Sequence, residues 1–277
     1  MIPRNFVQKD HLNLIGEFNN MSFRNFKAKE NKLRKTMIQI AKLTYSKGMI
    51  AASDGNMSAK IAENRYLVTP SGLFKGFLEE DDLVVIDQLG DVIEGNHGPS
   101  SELMMHLKAY EMRSDIEAVV HAHPPVITAF SVAGIDLTEA ILPETIFILG
   151  EIKFAQYSTP TTEDVPNAIE SLIRQHDALV LTRHGSLTVG KTLEEAYQKL
   201  ESLEHTAKII SEAVKLRGGK MVAPLPSNEI DKLWEINEKL TGKKRPGKID
   251  DFPNDQQISH ELIAKTVMDV LKEMNFQ

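Results

Sequence analysis

The sequence predicts an α/β fold with antiparallel strand pairing in its first half. Three observations point there. Between Arg65 and Glu94, short apolar runs alternate with tight turns such as Ser71-Gly72 and Gln88-Leu-Gly90, which is the pattern of antiparallel hairpins. Ala118-Val-Val and Ala178-Leu-Val-Leu read as two further buried strands. Stretches with helical periodicity separate these runs, the longest from Leu193 to about Leu216.

The bulk numbers frame this reading. The chain has 277 residues, 42% hydrophobic and 26% charged, as in an ordinary soluble globular protein. Its net charge of −7 argues against nucleic acid as a partner. There is no cysteine, so a disulfide framework, a cysteine nucleophile and a thiolate metal site are excluded. Any metal must be held by His, Asp, Glu or water. No apolar leader follows Met1, and no window approaches a membrane-spanning length, so a cytoplasmic location without membrane contact is expected.

Taken in order, residues 1–31 form a polar N-terminal extension. Leu33, Met37, Ile40, Ala41 and Tyr45 recur at helical spacing and predict a helix from about Lys32 to Lys47, stopped near Gly48. Ala51 to Ser58 is a run of small turn-forming residues, either a plain hairpin turn or a loop able to wrap a phosphate. Strands follow at Arg65–Thr69, Leu83–Asp87 and Asp91–Glu94, with a Ser/Gly turn at Ser71-Gly72. Ser100 or Ser101 is the expected cap of a helix over Leu103–Met112, with Glu102 in its first turn. An acid at a helix start needs no catalytic reason, although the same end favours anions. A helix is expected from Val126 to Ala133 and another from about Val165 to Gln175. Beyond residue 217 the composition shifts, and a C-terminal extension over 218–277 is expected to be helical near Glu261–Met274.

Two histidines stand one residue apart at the end of the Ala118 strand. Successive strand side chains alternate faces, so His121 and His123 aim the same way. Converging imidazoles make half of a divalent-metal site, and the short pattern alone equally allows two structural histidines. His184 ends the Ala178 strand in the same manner, either as a third ligand or as a packed loop histidine.

Together the motifs Gly55-Asn56, Ser71-Gly72, Ser100-Ser101-Glu102, His121-x-His123 and His184-Gly185, in this order, resemble the class II aldolase and adducin-head superfamily. The likeness covers about residues 32–217, which sets the middle domain apart from the two extensions. Within the superfamily the motifs are most similar to the L-fuculose-1-phosphate aldolases. The resemblance implies a three-layer α/β/α sandwich around a central, mostly antiparallel sheet, assembled as a homotetramer with sites near subunit interfaces. It implies one Zn2+ per subunit held by Glu102, His121, His123 and His184, with Glu102 also acting as the catalytic base. It implies that Gly55, Asn56, Ser71, Gly72, Ser100 and Ser101 bind the phosphate of a small sugar. The implied reaction is cleavage of a ketose 1-phosphate, such as L-fuculose 1-phosphate, to dihydroxyacetone phosphate and a short aldehyde.

Relatives on the same scaffold carry other chemistries: 5-deoxypentulose-phosphate aldolases, methylthioribulose-1-phosphate dehydratases, pentulose-phosphate 4-epimerases and noncatalytic adducin heads. The epimerases carry Asp where this chain has Glu102, and adducin heads generally lack the zinc histidines. One departure concerns the aldehyde end. Where the fuculose aldolases place a tyrosine, this chain has Phe147, with Glu144 and Tyr157 nearby.

Overall fold

The computed structural model describes residues 5–247, with side chains from residue 26 onward. The helix expected near Glu261–Met274 lies outside the described residues. Contacts divide the chain at Arg245, and the unit Pro246–Gln277 falls almost wholly outside them too.

Eight strands form one sheet: β1 (Asn56–Ala62), β2 (Arg65–Val68), β3 (Val84–Ile86), β4 (Val92–Glu94), β5 (Ala118–Ala122), β6 (Ile152–Ala155), β7 (Ala178–Leu181) and β8 (Gly185–Gly190). Their order is β4-β3-β2-β1-β5-β8-β7-β6. Every neighbouring pair is antiparallel except β6 with β7. Among the described residues the α-helices are α1 (Asn5–Ser46), α2 (Leu103–Met112), α3 (Pro125–Val132), α4 (Asp164–Ile173), α5 (Leu193–Leu216) and α6 (Ser227–Thr241).

Strand alternation sorts the core into two layers around the sheet. Met57, Ala59 and Ile61 of β1, with Ala118, Val120 and Ala122 of β5, pack against Met37 and Ala41 of α1 and Leu200 of α5. Val119 of β5, with Leu187 and Val189 of β8, faces the other way against Met105 of α2 and Ile169 of α4. Helix α3 joins the first layer, where Ile127 and Phe130 meet Leu203 and Ile210 of α5. The expected sandwich around a mostly antiparallel sheet is therefore the observed one. Leu200 is wholly buried, so truncating such a residue costs about 2–5 kcal/mol.

Several elements match their expected spans closely, α2 and α5 above all. Others differ. Helix α1 reaches back to Asn5, well before the expected start at Lys32. β1, β6, β8 and α6 go beyond the elements expected from sequence. β1 is Asn-Met-Ser-Ala-Lys-Ile-Ala, poor in β-branched residues, and it becomes a strand because β2 and β5 pair with both its edges. α2 begins differently from the serine-capped start expected. Glu102 itself occupies the cap position without a capping side-chain bond, and Ser100 Oγ accepts from the Glu102 amide at 3.3 Å. The Glu102 carboxylate is turned elsewhere.

A candidate metal centre at the β5–β8 strand ends

β5 and β8 lie side by side at the middle of the sheet, and the ends nearest Ala122 and Gly185 carry the histidines. In register, His121 pairs with Leu187 and Ala122 with Ser186. His184 therefore arrives beside His121 through the tight β7–β8 turn, in which Arg183 adopts a left-handed φ of 60° and donates its amide to Ser131 Oγ at 3.0 Å. Gly185 makes the approach possible, because a Cβ there would stand 2.4 Å from the Ala122 carbonyl and 2.7 Å from the His123 ring.

Glu102, His121, His123 and His184 converge, each offering one ligand atom, with those atoms within 4.8 Å of one another. His121 Nε2 lies 2.9 Å from His123 Nε2 and 3.3 Å from Glu102 Oε2. His184 Nε2 lies 3.0 Å from Glu102 Oε1. The His121 Nδ1–H donates to the Ser186 carbonyl at 2.9 Å, which turns Nε2 toward the cluster. That nitrogen faces His123 Nε2, and a proton or a metal cation between the two rings accommodates so close an approach. Bonds of about 2.0–2.1 Å in a tetrahedral site put donor atoms roughly 3.3 Å apart, so the four side chains fit a divalent cation.

The surroundings hold these ligands in place. Asn56 Nδ2 donates to Glu102 Oε2 at 2.9 Å. The His123 amide donates to the Met49 carbonyl at 2.9 Å. Glu204 of α5 is fully buried and accepts from the amides of Val126 and Ile127 at 3.0–3.2 Å, which fixes the start of α3 just behind His123. Burial alone would raise the Glu102 carboxyl, but hydrogen bonds and charge from His121 and His184 override it and hold the group well below the usual carboxylate range. Burial, reinforced by His121 and His184, lowers His123 to about 4. Beneath the cluster, Ser58 Oγ joins His106 Nδ1 at 2.7 Å and Tyr110 Oη at 2.8 Å. Burial lowers His106 to about 3, so it remains a neutral hydrogen-bonding group.

The other expected residues fall around this centre. Gly55 has φ +68°, and a Cβ there would stand 2.9 Å from the His121 carbonyl, so the 51–55 loop lies directly against β5. Asn56 and Ser100 line one small cavity of about 10 Å³. The Ser71 amide donates to the Gly98 carbonyl at 2.9 Å, which ties the Ser71-Gly72 turn to the segment before Ser100. Ser101 faces a separate crevice with Thr161 and Thr162, next to Glu102. Phe147 is placed elsewhere. It lies in the helical turn Thr145–Leu149 and lines a cavity of about 320 Å³ with Arg113, Asp177 and Lys199, at the opposite end of β8 from His184. Sequence reasoning missed Lys75 and Glu204, both buried charges. Lys75 bonds the carbonyls of Ser53, Pro70 and Leu73, and Glu204 the amides of Val126 and Ile127. For Lys75, a charge inside the apolar and Gly-containing run Leu73–Phe77 was the available signal.

Comparison with known proteins agrees with this geometry. Residues 35–211 match the family model described as Class II Aldolase and Adducin N-terminal domain. An L-fuculose phosphate aldolase of Methanococcus vannielii is 39% identical over 63% of this chain and 93% of its own length. A 3-oxo-tetronate 4-phosphate decarboxylase of Escherichia coli K12 is 30% identical over 74% of this chain and 96% of its own. A solved L-fuculose 1-phosphate aldolase superposes with a TM-score of 0.66 at 28% identity, covering 74% of this chain and 95% of that one.

Proposed function

Because this chain belongs to the class II aldolase and adducin N-terminal domain family and is an aldolase-type lyase, we propose that it cleaves a ketose 1-phosphate such as L-fuculose 1-phosphate to dihydroxyacetone phosphate and a short aldehyde. The observation that carries this reading is the convergence of three imidazole nitrogens and one carboxylate beside two Gly/Ser loops. Glu102, His121, His123 and His184 hold the metal, and their nitrogen and oxygen donors suit zinc. When bound, the cation supplies Lewis-acid stabilisation of the charge that develops on the ketone oxygen.

The chain's own residues do the rest. Gly55, Asn56, Ser71, Gly72, Ser100 and Ser101 receive the phosphate through amide and hydroxyl donors, without an exposed lysine. This anchoring fixes the ketone end while the bond between carbons 3 and 4 breaks. The electron pair of that bond moves toward the ketone oxygen, and the carbon 4 hydroxyl passes its proton to water as the aldehyde forms. Glu102, once it has taken a proton from water, delivers it to carbon 3 in cleavage, and as the carboxylate it removes that proton in condensation. Its carboxylate is held ionised by its histidine neighbours and aimed by Asn56 Nδ2, so it is oriented as a base. The enzyme acts in the cytoplasm as a homotetramer.

A second reading has a specific observation behind it: the decarboxylase relative aligns over more of this chain than the aldolase does. Loss of carbon dioxide from a 3-oxo-tetronate 4-phosphate also leaves dihydroxyacetone phosphate. The two reactions share the electron flow toward a ketone oxygen and differ in the fragment released. Incubation of the zinc-loaded enzyme with each substrate, scoring triose phosphate, aldehyde and carbon dioxide separately, distinguishes them. Triose phosphate with aldehyde from L-fuculose 1-phosphate supports the aldolase. Carbon dioxide from the tetronate alone replaces it with the decarboxylase.

A further inference from the structure

Lys75 is buried to 2% exposure, yet none of its three acceptors is an acid. Its Nζ donates to the carbonyls of Ser53 at 2.9 Å, Leu73 at 3.0 Å and Pro70 at 3.5 Å. Its backbone amide donates to the Ala52 carbonyl at 3.2 Å. One residue thus bonds to both turns that flank the metal centre, 51–55 and 70–73. The second turn is in turn bridged to a third segment, through Ser71 N to Gly98 O at 2.9 Å and a Pro70–Pro99 bridge. The lysine sits on a firm support. The next residue, Gly76, packs so closely on the Tyr45 ring of α1 that a Cβ would come within 2.5 Å of it.

Burying an ammonium among neutral carbonyls is costly, and an apolar side chain of similar volume would fill the space at less expense. A compensating use is therefore expected. We propose that Lys75 is the positioning residue of the phosphate cradle: it clamps the 51–55 and 70–73 loops together from behind and lends a positive charge, hydrogen-bonded to no carboxylate, to a dianionic phosphomonoester in front. The inference rests on the phosphate reading of these loops given above. The lysine need not touch the ligand. It bonds only carbonyls of the turns, and the ligand meets the donors of Gly55, Asn56, Ser71 and Gly72 instead. The charge acts across a low-dielectric layer, where it is felt more strongly than a surface lysine would be. Asp54 and Glu102 pull on the same ammonium and favour its charged form, while burial opposes it and brings the group to about 8.

The test uses zinc-loaded full-length enzyme with glycerol 3-phosphate as the probe. Lys75→Met removes clamp and charge, and Lys75→Gln retains a neutral donor. Calorimetry should show the probe bound at least tenfold more weakly by Lys75→Met. Lys75→Gln should fall in between. KM for the ketose phosphate should rise in step, with kcat changed less and zinc content still stoichiometric. Should neither variant fold, the wild type decides. The probe stays dianionic above pH 7 because a phosphomonoester's second pKa is about 6. Its affinity should then fall as pH rises through about 8. Wild-type affinity in the variants, or a flat wild-type profile if they do not fold, overturns the role of Lys75 and leaves the phosphate reading standing. A wild type that binds no probe at all overturns the phosphate reading itself.

Discussion

A cluster of ionisable groups lies at each end of β8, and the two are built on opposite principles. Near Gly185, three imidazoles and one carboxylate turn their lone pairs toward a common point. Near Gly190, Asp177, Asp115 and Glu195 meet Arg113, Lys199 and Lys243, three acids against three bases. Asp177 accepts from Lys199 at 2.8 Å and from Arg113 at 3.1 Å, and it contacts Lys243 as well. Burial would raise the Asp177 carboxyl, but Lys199 and Lys243 hold it at about 2. The far cluster pairs acids with bases from the chain itself, and a cavity of about 320 Å³ beside it is lined by Arg113, Asp177, Glu195 and Lys199, which are all paired. The near cluster sets three imidazoles against one carboxylate, a donor set that a divalent cation would complete. A buried group whose partners are all present holds the fold together. Groups that share the same unmet need point to a ligand.

This contrast can be broken experimentally, and the largest effect belongs to the near end. His123→Ala should abolish stoichiometric zinc and lower the cleavage rate by roughly three orders of magnitude or more, the worth of several kcal/mol of lost charge stabilisation. Metal analysis of the purified variant checks it, and full retention of zinc removes His123 from the ligand set. Glu102→Gln should cost about 10²–10⁴-fold in turnover with the fold intact. A near-wild-type rate would take the proton-transfer role away from Glu102.

At the far end the expectation inverts. Asp177→Asn removes the most deeply buried acid of the cluster from Lys199, Arg113 and Lys243 together and leaves Lys199 only Glu195, a cost of about 3–5 kcal/mol. Thermal melting should drop by about 10 °C, while kcat at 25 °C stays within about twofold. A collapse of kcat with unchanged melting would mean that the far cluster is functional after all.

The smallest effect sharpens the comparison through Lys75, which behaves like neither end. Its folded value of about 8 lies below the ordinary 10.5, so between these values the unfolded chain binds more protons. Stability should therefore rise with pH from about 8 to 10.5 relative to Lys75→Met, and the difference should level off outside that window. Denaturant titrations at a series of pH values measure it. Parallel curves for the two proteins would show that Lys75 is not held at a lowered value.

Much of the site was legible because its signals are local. The His-x-His pair lies on one strand, where alternation alone puts both rings on the same face. His184 was readable as a strand-end histidine, but only the pairing of β5 with β8 brings it to His121. Ser100 and Ser101 are good caps by type, yet Glu102 takes the cap position while its carboxylate turns to His121 and His184. Phe147 was matched by its neighbourhood in sequence, and the fold carried it to the far end of β8.

By itself the sequence determined the helices with a strong period, the strands with apolar runs, and the residue types able to hold a metal, because each of these depends on neighbours a few positions away. Tertiary structure decided that a Ser- and Lys-containing stretch becomes the β1 strand, that β6 joins β7 in parallel, and that Lys75 binds carbonyls from two separate turns. Those outcomes depend on partners supplied by distant parts of the chain, and periodicity carries no record of such partners.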